Sequence, residues 1–94
     1  MTYLYVIAIG GDDGPFRGPC KIGLTERPEK RLAEIRPHSP LGLSFAYLHQ
    51  IPDRGSAFHA EACIHSGLAD RLIDHEWFDV SPEAAIEAVK AVAG

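Results

Sequence analysis

The chain has 94 residues, 46% of them hydrophobic, and a formal net charge of −4 at neutral pH. That is enough for one core and no second unit, so residues 1–94 read as a single domain. No apolar run approaches the ~18 residues of a membrane span, and Tyr5 to Ile9 stops at Gly10-Gly11-Asp12-Asp13 before it can serve as a signal core, which argues against a membrane protein and for a cytoplasmic one.

The first element is the run Tyr3 to Ile9, aromatic and β-branched, ended by the breaker cluster Gly10-Gly11-Asp12-Asp13-Gly14-Pro15. A second strand begins near Pro19 and covers Cys20 to Leu24. The pair is expected to form an antiparallel hairpin with a longish loop, which brings Tyr5 near Lys21. A helix follows: Thr25 or Arg27 can cap it, Pro28 suits its first turn, Leu32 and Ile35 form its apolar stripe, and Pro37 and Pro40 end it. A third strand, Leu43 to Gln50, flanks the first two.

Ser56 can cap the longest helix, which is expected to run to about Ile73. Phasing it at ~100° per residue puts Phe58, Ala62, Leu68, Ala69 and Leu72 on one face, with Glu61 and His65 inside the same arc. An ionised carboxylate facing inward needs a cation, a metal or a donor, or a place at the rim of a cleft. Asp74 to Val80 reads as a turn and a short extended piece, in which Trp77 and Phe78 offer packing area and Glu76 can line the cleft. Ser81-Pro82-Glu83 starts a last helix whose Ala85, Ile86, Val89 and Val92 face the core.

Charge is unevenly spread. From Arg17 to Arg36 there are six bases (Arg17, Lys21, Arg27, Lys30, Arg31, Arg36) against three acids (Glu26, Glu29, Glu34), and from Asp53 to Glu87 acids dominate. This suits an anion cleft with carboxylates on its far wall, or simply two solvated faces. Cys20 and Cys63 lack metal-ligand spacing and read as free, semi-buried thiols.

The stretch Lys21-Ile22-Gly23-Leu24-Thr25, followed by Arg31, delivers an amine, a hydroxyl and a guanidinium to one place, as a phosphate site needs. Taken in order, Tyr3-Leu4-Tyr5-Val6-Ile7, then Lys21-Ile22-Gly23, Arg31-Leu32, Glu61 with His65, and Glu76-Trp77-Phe78, the chain resembles the GIY-YIG nuclease superfamily. More narrowly, it is similar to the subgroup of short proteins whose second half-motif reads Lys-Ile-Gly and which close with Glu-Trp-Phe. The resemblance implies an α+β fold with a small three-stranded antiparallel sheet flanked by helices, and metal-dependent endonuclease activity on nucleic-acid phosphodiesters, with DNA as the expected substrate. It also implies roles: Tyr5, Lys21, Arg31 and Glu61 as catalytic residues, with Glu61 holding Mg²⁺ or Mn²⁺. Tyr3, Thr25, Arg27 and His65 are candidate substrate contacts. A protein partner or a second copy would supply specificity. The chain departs from the family where Tyr3 replaces the first Gly and Ile35 stands in the place of a common histidine.

The residues make chemical sense without the name. Arg31 offers a permanently charged fork for phosphate oxygens, and a cation on Glu61 would stabilise the departing oxyanion. Either Tyr5 or Lys21 takes the proton of the attacking water; the phenol, at its ordinary pKa of ~10, requires a neighbouring cation such as Lys21 to lower it. Two rival readings exist. A zinc deaminase is suggested by His59-x-Glu61, but the Pro-Cys-x-x-Cys partner is absent. A catalytically degenerate domain would bind nucleic acid or a protein without cutting.

Overall fold

The central strand, β1 (Thr2–Ile9), pairs antiparallel on one side with β2 (Arg17–Thr25) and on the other with β3 (Leu43–Ile51). The computed structural model describes residues 1–11, 14–39 and 41–93. Asp12 and Asp13 of the expected loop, and the expected helix stop Pro40, lie outside them. The run Leu4 to Ile9 is apolar throughout because both faces of β1 are covered. Leu4, Val6 and Ala8 pack under α2 (Arg54–Gly67) and α3 (Pro82–Ala93), together with Ile22, Ile64, Phe78 and Val89. Tyr5, Ile7 and Ile9 face the other way, towards Leu32 and Ile35 of α1 (Pro28–Ile35). The hairpin turn begins at Gly10, whose φ of 99° suits a residue without a side chain.

The fold is α+β, but the sheet has five strands in the order β3-β1-β2-β5-β4, not three. The added pair is β4 (Leu72–Asp74) and β5 (Trp77–Phe78), joined by a two-residue turn at His75 and Glu76 and laid on the free edge of β2 through Cys20↔Phe78 and Lys21↔Trp77. This pairing shortens the long helix. α2 ends at Gly67, a single 3₁₀ turn covers Ala69–Arg71, and Leu72 and Ile73, expected in the helix, are extended. Pairing with β5, itself laid on β2, outweighs their local helical preference.

The ends and faces of the helices differ from expectation in instructive ways. Asp53, not Ser56, caps α2: its carboxylate accepts from the main-chain N–H of Gly55 at 3.2 Å and of Ser56 at 2.9 Å. Its buried face is Ala57, Ala60 and Ile64, whereas Phe58 is 50% exposed and Ala62 and Ala69 are also exposed. Small residues let the helix lie close against the sheet and α3. At the start of α1 neither Thr25 nor Arg27 caps with its side chain. The Thr25 hydroxyl instead accepts from the Arg27 N–H at 3.0 Å, and Pro28 occupies the first turn as expected. Past Ile35 the chain continues through Pro37 in a 3₁₀ turn, Arg36–His38. In α3, Pro82, Ala85 and Val89 are buried, but Val92 is 43% exposed. Cys20 is buried and Cys63 exposed, so the two thiols are unlike and neither is half-buried. No helix among the described residues is long and apolar enough to cross a membrane.

Candidate functional site

The site grows out of the β1–β2 register. Tyr5 stands opposite Gly23, and the missing side chain there is what admits the phenol: a Cβ on Gly23 would lie 2.6 Å from the Tyr5 hydroxyl. The ring is fully buried, with Phe45 edge-on at 6.0 Å between centroids. From α1, Arg31 Nε donates to the Tyr5 oxygen at 3.3 Å. The Tyr5 hydroxyl donates in turn to Oε1 of Glu76 at 3.2 Å, and the ammonium of Lys21 lies 3.4 Å from that same oxygen. Two of the four expected catalytic side chains, Tyr5 and Lys21, thus meet on one carboxylate, and a third, Arg31, joins them through the phenol.

Glu76 is the member that sequence reasoning undervalued. Its main-chain carbonyl accepts from the Ile22 N–H at 3.0 Å, so both backbone and side chain tie it to β2. One signal pointed to it: Lys21 interrupts an apolar run, and a buried ammonium needs a carboxylate partner. Lys21 is indeed only 8% exposed.

Glu61 reaches the group from α2 through an open cleft of about 270 Å³ whose lining includes Thr25, Arg54, Glu61 and Glu76. Arg54 pairs with Glu26 across the mouth at 3.0 Å. The Glu61 carboxylate is half-buried and makes no hydrogen bond or ion pair among the described residues. Burial, and then the neighbouring charge of Glu76, raise its pKa; His65 offsets this in part. Glu61 is a half-buried carboxylate with no ion-pair partner of its own among the described residues, beside a second carboxylate that Lys21 engages, and such a pair could hold a hard divalent ion. Among the described residues no group of three or more metal-ligating side chains gathers. This donor set fits Mg²⁺ or Mn²⁺, which keep several waters and take one or two carboxylates together with substrate phosphate oxygens.

The other candidates fall around this centre. His65 is fixed by Nε2, 2.9 Å from the carbonyl of Ile22, and by its ring against Phe78 at 5.0 Å. With Nε2 donating to that carbonyl, the histidine holds β2 in place. Thr25 lines both the Glu61 cleft and a shallow groove of mixed charge shared with Glu26, Arg27, Lys30, Arg31 and Glu34. Tyr3 is half-buried between Thr25 and Gln50 in the sheet register and makes no hydrogen bond among the described residues.

Burial pushes the Tyr5 phenol up to about 12; the Arg31 hydrogen bond opposes this and Glu76 reinforces it. This corrects the expectation of a phenol acidified by Lys21, because the lysine is engaged by Glu76 and the cation on the phenol is Arg31. A pH dependence follows. Below pH ~10 the phenol is protonated in both folded and unfolded chains. Between there and about 12 the unfolded chain ionises first, so stability falls, by about 3 kcal/mol for a shift of that size. In an alkaline titration of tyrosinate absorbance, one of the three tyrosines should resist ionisation until near pH 12. Tyrosinate absorbance that reaches its plateau well below pH 12 would refute the burial account.

The fold is a small α+β domain in which Tyr5 of β1, Lys21 of β2 and Arg31 of α1 gather near Glu76, with Glu61 in the cleft beside it. The chain matches the T5orf172 domain over residues 2–93 and belongs to that family. The domain is found in phage and nuclease-associated proteins, which points to a nucleic-acid-related role. No curated protein matches the chain, and no solved structure does.

Proposed function

We propose that the domain is a GIY-YIG-type endonuclease that hydrolyses nucleic-acid phosphodiesters with a divalent cation held on Glu61. The observation that carries this reading is the Tyr5 hydroxyl, bonded to Arg31 and Glu76, with Lys21 on the same Glu76 and the unpartnered Glu61 in the adjoining cleft. A cation on Glu61, with Glu76 lining the same cleft, would polarise the phosphoryl group and neutralise the leaving oxygen.

The protein's own groups supply the rest. Arg31 is permanently charged, and the phenol hydrogen bond pushes its pKa further above its usual value. Its other ion pair, to Glu34 at 3.7 Å, is part-exposed and weak, so a phosphate competes with it readily. Arg31 turning onto a phosphate uncovers the phenolic oxygen of the buried Tyr5. A phenol with a pKa near 12 is a poor base by itself. It can accept a proton from water as its own proton passes to Glu76, 3.2 Å away, leaving hydroxide to attack phosphorus as the ester oxygen departs. Lys21 holds Glu76 in position for that transfer.

The test is incubation of purified domain with supercoiled plasmid and with labelled RNA, in Mg²⁺ or Mn²⁺, beside Arg31→Ala and Glu61→Ala. Wild type should cut, and each variant should be slower by on the order of 10²-fold. If wild type leaves every substrate intact while still binding it, the enzyme reading falls and the domain is a non-cutting binder.

A further inference from the structure

We infer that the pocket formed by Lys21, Arg31, Glu34, Ile35 and Trp77 is a nucleobase subsite, and that the domain therefore engages unpaired nucleic acid in preference to intact duplex. This rests on the reading of the site as one for nucleic acid and deepens it. The pocket has a volume of about 490 Å³, within the range that takes a small planar ligand. Trp77 on β5 and Ile35 on α1 give it apolar walls, and Trp77 is half-buried, so part of its indole faces the opening. Its cationic members are the same Lys21 and Arg31 that border the Tyr5 hydroxyl and Glu76.

A phosphate drawn to Arg31, which lines the pocket, has its adjoining nucleotide beside it. The Lys21 ammonium lies 5.7 Å from the centre of the Trp77 ring, so cationic and stacking groups are in contact, as single-strand sites combine them. Glu34 on the rim adds a hydrogen-bond acceptor for an exocyclic amino group. In a duplex the faces of the bases are covered by their neighbours, and the pocket could be filled only by paying to unstack one. In a single strand, a flap or a bulge the base is already free.

Trp77 is the only tryptophan in the chain, so its emission reports the pocket directly. The experiment titrates wild-type domain, in EDTA so that nothing is cut, with single-stranded DNA, single-stranded RNA of the same sequence, the blunt DNA duplex, and inorganic polyphosphate as a polyanion without bases. The single strands should quench the emission saturably and bind more tightly than duplex, the DNA and RNA arms ranking the two sugars. Polyphosphate should bind without quenching. Trp77→Leu should weaken single-strand binding by about 5- to 150-fold and abolish the preference over duplex, and Trp77→Phe, which keeps a ring in the packed position, should retain most of it. Strands that bind with emission unchanged, or a duplex that quenches equally, overturn the inference; so does Trp77→Leu, folded by circular dichroism, binding single strands as wild type does. Failure of these signals while plasmid cutting still depends on Arg31 sinks this inference alone. Intact quenching without any cutting sinks the enzyme reading alone, and no binding by any strand sinks both.

Discussion

Glu76→Gln should lower the stability of the domain by about 2–3 kcal/mol at neutral pH, a fall in Tm of roughly 10–20 °C for a domain of this size. Glutamine keeps the shape and can still accept from the Tyr5 hydroxyl, so the substitution removes charge and little else. What it leaves is the Lys21 ammonium, 8% exposed, with its carboxylate partner gone. Breaking a fully buried ion pair costs ~3–5 kcal/mol because one charge is stranded; the Glu76 side chain keeps a third of its surface in solvent, which places this pair at the lower end or just below. The cation–π contact of Lys21 with Trp77 at 5.7 Å relieves only part of the loss. The decisive comparison is the double variant. Lys21→Met removes the charge and retains an aliphatic stem against the indole, so Lys21→Met/Glu76→Gln should regain at least half of what Glu76→Gln loses in urea unfolding. A double variant as unstable as the single one would show that Glu76 stabilises the domain through something other than the lysine.

The same pair marks the boundary of what can be read from the chain. Tyr5, Lys21 and Arg31 were legible because local rules place them. Two strands joined by a breaker loop must pair as a hairpin, which sets Tyr5 beside the Lys21-Ile22-Gly23 run, and Pro28 anchors the helix that carries Arg31. Glu76 was only partly legible, since its position depends on β5 joining β2, a pairing between distant segments that no local pattern specifies. The phase of α2 was misread for a different reason. Hydrophobicity ranks Phe58 above Ala57, but close packing against a sheet and a second helix selects small side chains, and Phe58 stays outside with its ring against Arg54 at 5.2 Å. Glu61 survived that error because it lies near the edge of the buried face in either phase, which is also why it is half-buried.

On the proposed endonuclease reading, Gly23→Ala should impair cutting out of proportion to its effect on folding. The would-be Cβ falls 2.5 Å from Oε1 of Glu76, 2.6 Å from the Tyr5 hydroxyl and 2.8 Å from the ring carbon that bears it. The carboxylate can swing away into the open cleft. The phenol cannot, being fully buried and held by Arg31 at one side and Phe45 at another. A methyl group forced into such a contact costs about 1–3 kcal/mol, a loss a small domain can survive. The proposed chemistry is less tolerant: misplacing a positioned group by ~1 Å costs on the order of 10²-fold, and here Glu76 moves off the fixed phenol and the proton path between them opens. Cutting should therefore fall at least that far in a protein that circular dichroism and urea unfolding show to be folded. Gly42→Ala is the matched control, because its Cβ would meet nothing within 4 Å and should leave both properties unchanged. A Gly23→Ala domain that cuts at the wild-type rate would mean that the Tyr5 to Glu76 hydrogen bond plays no part in the reaction.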